Sequence, residues 1–137
     1  MTYDVNWEKA EKYFLNEYKT SGEKYENLIA IANICHYIRH EYNGVQLGVN
    51  EYYYEGYSRL HIGVADGSVP SKELVVMPIQ GNEVEIYLRD NETRIEHCYF
   101  QHPPHSEALN RFKKIINKLN WNDSVKPNNI FLDWLRD

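Results

Sequence analysis

The sequence predicts a single α+β domain over residues 1–137, in which helices flank an antiparallel sheet. Apolar residues recur at helical spacing towards both ends of the chain, and they alternate with polar residues in the middle, where turn signals separate the alternating runs. The predicted order is two N-terminal helices, a four- to five-stranded antiparallel meander, one amphipathic helix and a short C-terminal helix. The helices are expected to cover one sheet face and to leave the other face open.

The first predicted helix covers residues 7–19, and Asp4 or Asn6 can cap its first turn. Thr20 and Glu23 have the spacing of a capping box, which predicts that the second helix starts there. Apolar residues on more than one side of the second helix predict that it is deeply buried. Asn43-Gly44 supplies the expected stop, since both residues tolerate a left-handed backbone.

The middle of the chain has the period of a β-sheet. The predicted strands cover residues 45–49, 60–64, 73–79, 83–89 and 93–100. Glu55-Gly56 predicts a hairpin turn between the first two strands. Pro78 places the third strand at a sheet edge or ends it early, because proline cannot donate a ladder hydrogen bond.

The C-terminal part returns to helical spacing. Pro103-Pro104 ends the predicted sheet, and Ser106 is expected to cap the third helix. That helix carries an apolar stripe with basic residues opposite; the stripe comprises Leu109, Phe112, Ile115, Ile116 and Leu119. A short fourth helix is predicted from about Asn128.

Composition bounds the class of protein. A hydrophobic content of 42% and a charged content of 26% are ordinary for a globular domain and argue against disorder. The net charge of −5 argues against direct nucleic-acid binding, which normally shows a basic footprint. The distribution of charge predicts an acidic sheet followed by a basic third helix.

Features of cellular location point to the cytoplasm. Cys35 and Cys98 lie in apolar stretches without metal-type spacing, which predicts buried thiols in a reducing compartment. The first residues lack the basic and apolar regions of a secretory signal, and no apolar run approaches the roughly 20 residues of a membrane span. Richness in Asn, Ile, Lys, Tyr and Glu is typical of an AT-rich bacterial or phage coding sequence.

Histidines provide the candidate metal ligands. His36 and His40 have the i, i+4 spacing that directs two imidazoles to one side of a helix, but Tyr37 stands where the metalloprotease motif requires Glu. A second group, His97, His102 and His105, lies where the last strand leads into the third helix. This group predicts the alternative function, a metal-dependent hydrolase or nuclease.

A Tyr-rich hairpin with acidic neighbours is the least ordinary feature. Alternation in a strand puts Tyr52 and Tyr54 on one face, and tyrosine is enriched at protein interfaces. Glu83 and Glu85 share a face of a later strand, and Glu96 is expected opposite them. The predicted binding residues are Glu51, Tyr52, Tyr54, Glu55, Tyr57, Glu83, Glu85 and Glu96.

The sequence therefore predicts a non-enzymatic protein-binding module without a cofactor. Helices around a small meander occur in many small bacterial and phage proteins, including stoichiometric inhibitors and immunity proteins, and the predicted function is of that type. The partner is expected to have a basic surface, because the predicted binding residues are acidic. Self-association through the same edge is one alternative, and a small-ligand sensor with a pocket between the sheet and the second helix is another.

Overall fold

The computed structural model describes residues 5–54, 57–64, 72–90, 99–119 and 121. For strand residues 50–54, 57, 72, 90 and 99–101 the backbone alone is described. The elements are α1 (Trp7–Thr20), α2 (Glu26–His40), β1 (Leu47–Tyr54), β2 (Tyr57–Val64), β3 (Lys72–Ile79), a 3₁₀ turn (Gln80–Asn82), β4 (Glu83–Asp90), β5 (Tyr99–Gln101) and α3 (His105–Lys118). The predicted α+β class is confirmed. The fourth helix predicted from Asn128 lies outside the described residues.

Helix α1 has the predicted cap but ends differently from the prediction. Asn6 Oδ1 accepts a hydrogen bond from Lys9 N at 3.1 Å. At the other end, Gly22 adopts φ +78° and Glu23 N donates to Tyr18 O at 3.0 Å, which closes the helix as a Schellman motif. The prediction that Thr20 and Glu23 start the second helix is wrong, because this loop is used to end α1.

Helix α2 starts at Glu26 and ends at His40, before the predicted Asn43-Gly44 stop. The backbone N–H groups of Glu41 and Tyr42 both donate to Tyr37 O, at 2.8 and 3.1 Å, and so close the helix earlier. Gly44 is needed for another reason, since a Cβ at this position would overlap the Tyr42 ring. Burial on several sides of α2 is confirmed, and Cys35 is among its buried residues; Cys98 lies outside the described residues.

The sheet is an antiparallel meander with the strand order β1-β2-β3-β4-β5. The prediction that Pro78 puts β3 at an edge is wrong, because β3 lies between β2 and β4. The β2–β3 ladder pairs residues 60–62 with residues 74–76, so Pro78 lies beyond its last pair. The proline therefore does not have to donate a hydrogen bond within that ladder.

The three described helices pack on one face of the sheet. Alternate residues of β1 to β4, among those whose side chains are described, enter a single apolar core with α1, α2 and α3. The buried strand residues of this core are Leu47, Val49, Leu60, Ile62, Leu74, Val76, Val84, Ile86 and Leu88. This alternation confirms the predicted period of two and the predicted cover of one face by helices. We call this face the helix face and the opposite one the second face.

Helix α3 carries the predicted apolar stripe. Phe112, Ile115 and Ile116 are buried against the sheet and α2. The predicted Ser106 cap is wrong, because the helix starts at His105 with Pro104 as its N-cap. Residue 104 also bridges to the start of β4, so the sheet leads directly into the helix. No helix in the described part of the chain is long and apolar enough to cross a membrane.

Candidate functional site

The β1–β2 hairpin forms the edge of the sheet. All eight residues of β1 pair with β2, from Leu47 with Val64 to Tyr54 with Tyr57. The neighbouring β2–β3 ladder stops at Leu60 with Val76. The part of the hairpin formed by residues 52–54 and 57–59, which we call the distal ribbon, therefore extends beyond the last β3 pair.

The base of this hairpin is fixed to the helices. Trp7 Nε1 donates to Leu47 O at 2.9 Å, and the Trp7 side chain is buried. Leu47 and Val49 point into the core. Tyr13 Oη and Ser58 Oγ lie 2.7 Å apart, which ties β2 to α1 as well. The hairpin therefore presents its edge from a rigid base.

Most of the predicted hairpin residues are described only as backbone. Glu51, Tyr52, Tyr54 and Tyr57 lie in paired strand positions, and Tyr52 pairs with Arg59. Glu55, like Glu96 further along the chain, lies outside the described residues. The exposure of the tyrosine rings therefore stays a prediction.

The structure does not bring the predicted acids of β4 to the hairpin. Glu83 pairs with Ile79 and Glu85 with Met77, so both lie three strands from β1. Three strand spacings amount to about 14 Å. Glu85 is also engaged, because its Oε1 lies 3.1 Å from His102 Nε2 and its side chain is only 16% exposed. The predicted set thus divides into two separate groups.

The histidine clusters are held by ion pairs and hydrogen bonds. His36 Nδ1 lies 2.8 Å from Glu11 Oε1, and Arg39 Nε donates to His40 Nε2 at 2.8 Å. Among the described residues, no three His, Cys, Asp or Glu side chains are placed to hold one metal ion. His102 contacts Glu85, as noted above, and His105 is the first residue of α3. His97, the remaining predicted ligand, lies outside the described residues.

A buried polar pair on the second face was not predicted from the sequence. His61 Nδ1 lies 2.6 Å from Glu73 Oε1, and the two side chains are only 3% and 5% exposed. Val75 and Tyr87, the residues in register with His61 across the sheet, are buried too. The expectation that this face is an open acidic surface is therefore wrong at its centre.

The prediction of an open second face failed because His61 and Glu73 stand at alternating positions of their strands, where polar residues are expected to face water. His61 lies between Leu60 and Ile62, which enter the core, and Glu73 directly precedes Leu74, which does so too. Polar residues at such positions of a meander usually face water. Burial of both partners depends on what packs over the second face, and local periodicity carries no information on that.

Comparison with known proteins finds no matching family model, no matching curated protein and no matching solved structure. Function must therefore be inferred from the chemistry and packing of this chain itself. Two features stand out for that purpose: the sheet edge at the hairpin and a cleft where β2 and β3 separate.

Proposed function

We propose that the chain is a non-enzymatic protein-binding module of the inhibitor or immunity type that docks through its β1 edge. The observation that carries this proposal is the strand order, in which β1 is an edge strand of eight residues with a distal ribbon beyond the β3 ladder. In the described part of the chain, no strand pairs with the outer side of β1.

An edge strand offers a ready docking mode. Half of its backbone N–H and C=O groups point away from the sheet and can pair with an extended segment of another protein. Backbone hydrogen bonds supply affinity in this mode, and side chains along the edge supply specificity. The proposed occupant is therefore an extended strand of a partner protein, aligned along residues 50–54.

Residue chemistry along the edge favours a basic partner. Glu51 and Glu55 flank the tyrosines in the sequence, and the whole chain has a net charge of −5. Opposite charge on the partner raises the association rate and disfavours wrong partners. The tyrosines add large contact area at a small loss of side-chain entropy.

A pull-down from lysate of the source cell tests the proposal. The hairpin variant Tyr52→Ala/Tyr54→Ala is compared with the unaltered chain and with Leu15→Ala, which removes an exposed apolar side chain of α1. We expect the hairpin variant to lose about tenfold or more of the captured partner, since aromatic anchors dominate binding energy. Leu15→Ala should leave recovery unchanged.

A second substitution tests the docking mode separately from the rings. Asn50→Pro places a residue without an N–H in the edge strand and should weaken strand addition while the tyrosines are retained. Unchanged partner recovery in both hairpin variants would contradict the proposal. Light scattering measures self-association through the same edge. If the molecular mass of the unaltered chain rises with protein concentration and that of the hairpin variants does not, a second copy of this chain is the partner.

A further inference from the structure

Strands β2 and β3 separate beside Pro78 and leave a cleft. Continuation of their register past the last pair, Leu60 with Val76, would set Ser58 opposite Pro78. Proline has no N–H for a ladder bond, and the pairing stops. A cleft of about 460 Å³, lined by Ser58, Pro78 and Ile79 on this side, lies where the ladder would have continued.

The opposite wall of the cleft is the junction of α1 and α2. Thr20 and Ser21 at the end of α1, with Tyr25 and Leu28 at the start of α2, line it. The Schellman loop holds the two ends, and Tyr18 Oη donates to Glu26 Oε1 at 3.1 Å across the junction. Burial, and then the hydrogen bond to Glu26, raises the pKa of Tyr18 above its ordinary value. The cleft is therefore preformed.

Asn27 lines the cleft and is only 3% exposed. Its Nδ2 donates to Ile79 O at 3.1 Å and to Glu83 O at 3.0 Å, and its backbone N–H donates to Asn82 Oδ1 at 3.0 Å. Two carbonyl acceptors on Nδ2 fix the orientation of the amide, because a flipped amide would set oxygen against oxygen.

Because Nδ2 of Asn27 is assigned by its two carbonyl acceptors, the other amide atom is the oxygen, Oδ1. Asn27 Oδ1 is buried and has no hydrogen-bond partner among the described residues. A buried acceptor is normally satisfied, so one without a donor in the wall of a cleft indicates a place where a ligand can donate. Ser58, another polar residue of the lining, is already engaged with Tyr13.

The lining determines the charge of the ligand. Glu17 is the only charged side chain among the described lining residues, which include no Lys, Arg or His. An anion such as a phosphate would find no cationic partner there, and burial of an unpaired charge is strongly unfavourable. Leu28, Pro78, Ile79 and the Tyr25 ring offer apolar contact instead.

We infer that this cleft binds a small neutral molecule that has an apolar body and one N–H or O–H group donating to Asn27 Oδ1. Its volume falls in the range of known small-molecule sites, which are mostly apolar with a few placed polar groups. The inference is independent of docking at β1, because the cleft lies on the other side of β2 from the edge.

Two matched pairs of probes test the ligand class by NMR titration of ¹⁵N-labelled protein. Indole and benzamide carry the donor, whereas N-methylindole and N,N-dimethylbenzamide have the same bodies without it. We expect the donor probes to bind at millimolar concentration and to shift the Asn27 side-chain amide and the Ser58 and Leu28 backbone signals. The methylated probes should bind about five- to tenfold more weakly, the usual effect of one hydrogen bond. Benzoate, the anionic probe, should not bind.

A matched pair of variants tests the location. Thr20→Trp places a large ring at the exposed rim of the cleft and should weaken indole binding about tenfold by steric block. Lys19→Trp is the control: it puts the same ring on a neighbouring exposed residue outside the cleft lining and should leave indole binding unchanged. Both substitutions lie on the surface at the end of α1, and the ¹⁵N spectrum reports their fold. The inference is overturned by equal binding of methylated and donor probes, by unchanged indole binding in Thr20→Trp, or by no shift at Asn27 with either donor probe.

Discussion

The two faces of the sheet are both buried at their centres, yet they are built from different chemistry. On the helix face, neighbouring strands contribute Leu60, Val76 and Ile86 to one continuous apolar core. On the second face, the neighbouring cross-strand row consists of His61, Val75 and Tyr87. His61 also contacts Glu73. Val75 and Tyr87 lie outside the main core cluster although they are buried.

The difference shows that burial of a sheet face does not by itself reveal how much that face contributes to the stability of the fold. Each fully buried aliphatic side chain of the helix face contributes about 1.5–3 kcal/mol by removal from water. A buried polar pair such as His61 and Glu73 contributes little net free energy, because desolvation offsets the attraction, but loss of one partner leaves the other buried without it and is strongly destabilising. The helix face therefore supplies stability, and we propose that the second face supplies a constraint on which side chains can pack there.

The largest expected effect comes from breaking the pair on the second face. Glu73→Leu leaves the buried His61 without its carboxylate and should lower the free energy of unfolding by about 3–5 kcal/mol. The double variant His61→Leu/Glu73→Leu removes both polar groups and should be less destabilised than the single variant. Urea denaturation at neutral pH measures these two variants and the single variant His61→Leu. A double variant whose loss of unfolding free energy equals the sum of the two single losses would argue against coupling of the pair.

Two adjacent valines compare the faces directly. Val76 and Val75 are both fully buried, but Val76 faces the helices and Val75 faces the other way. Val76→Ala should reduce the free energy of unfolding by about 2–3 kcal/mol, the transfer term for the lost methyl groups plus a cavity term. Val75→Ala should cost about half as much, because polar neighbours can adjust around it. Equal losses in thermal and urea unfolding would mean that the second face has an apolar core of its own.

The smallest effect is expected at the periphery of the second face. His102 is 41% exposed, and its contact with Glu85 is accordingly screened by water. His102→Ala should change the free energy of unfolding by less than about 1 kcal/mol. A matched measurement on Glu85→Gln should give a similarly small change. A loss comparable to that of Glu73→Leu would show that the polar character of this face extends to its edge.

Sequence patterns predicted the helices and strands well wherever the environment of a residue depends on its neighbours in the sequence. The stripe of Phe112, Ile115 and Ile116 predicted the buried side of α3. The alternation of Leu60 and Ile62 with polar neighbours predicted a strand, and the structure places both residues on the helix face. The turn at residues 80–82 uses Gly81 and Asn82, which have φ values of +77° and +59°, a backbone conformation that both residue types tolerate.

Errors arose where a motif competes with a longer-range arrangement. Thr20 and Glu23 match a capping box, yet the loop that contains them closes α1 with the backbone N–H of Glu23. Pro78 was expected to put β3 at an edge or to end it early, yet β3 is central and continues to Ile79. The proline fits there because the β2–β3 ladder stops before it. Of the predicted binding residues, those of β1 lie in the edge strand, while the acids of β4 lie elsewhere in the sheet.

The sequence by itself determined the α+β class, the order of the described helices and strands and the apolar alternation along the strands, because periodicity is a local property of the chain. Only the tertiary structure decided which face of the sheet the helices cover, that His61 and Glu73 are buried together and that Asn27 lines a cleft. Asn27 reaches partners 52 to 56 residues away, and no local pattern encodes a contact over that distance. Such contacts form only when α2 packs against the β3–β4 turn, so they follow from the packing of whole elements.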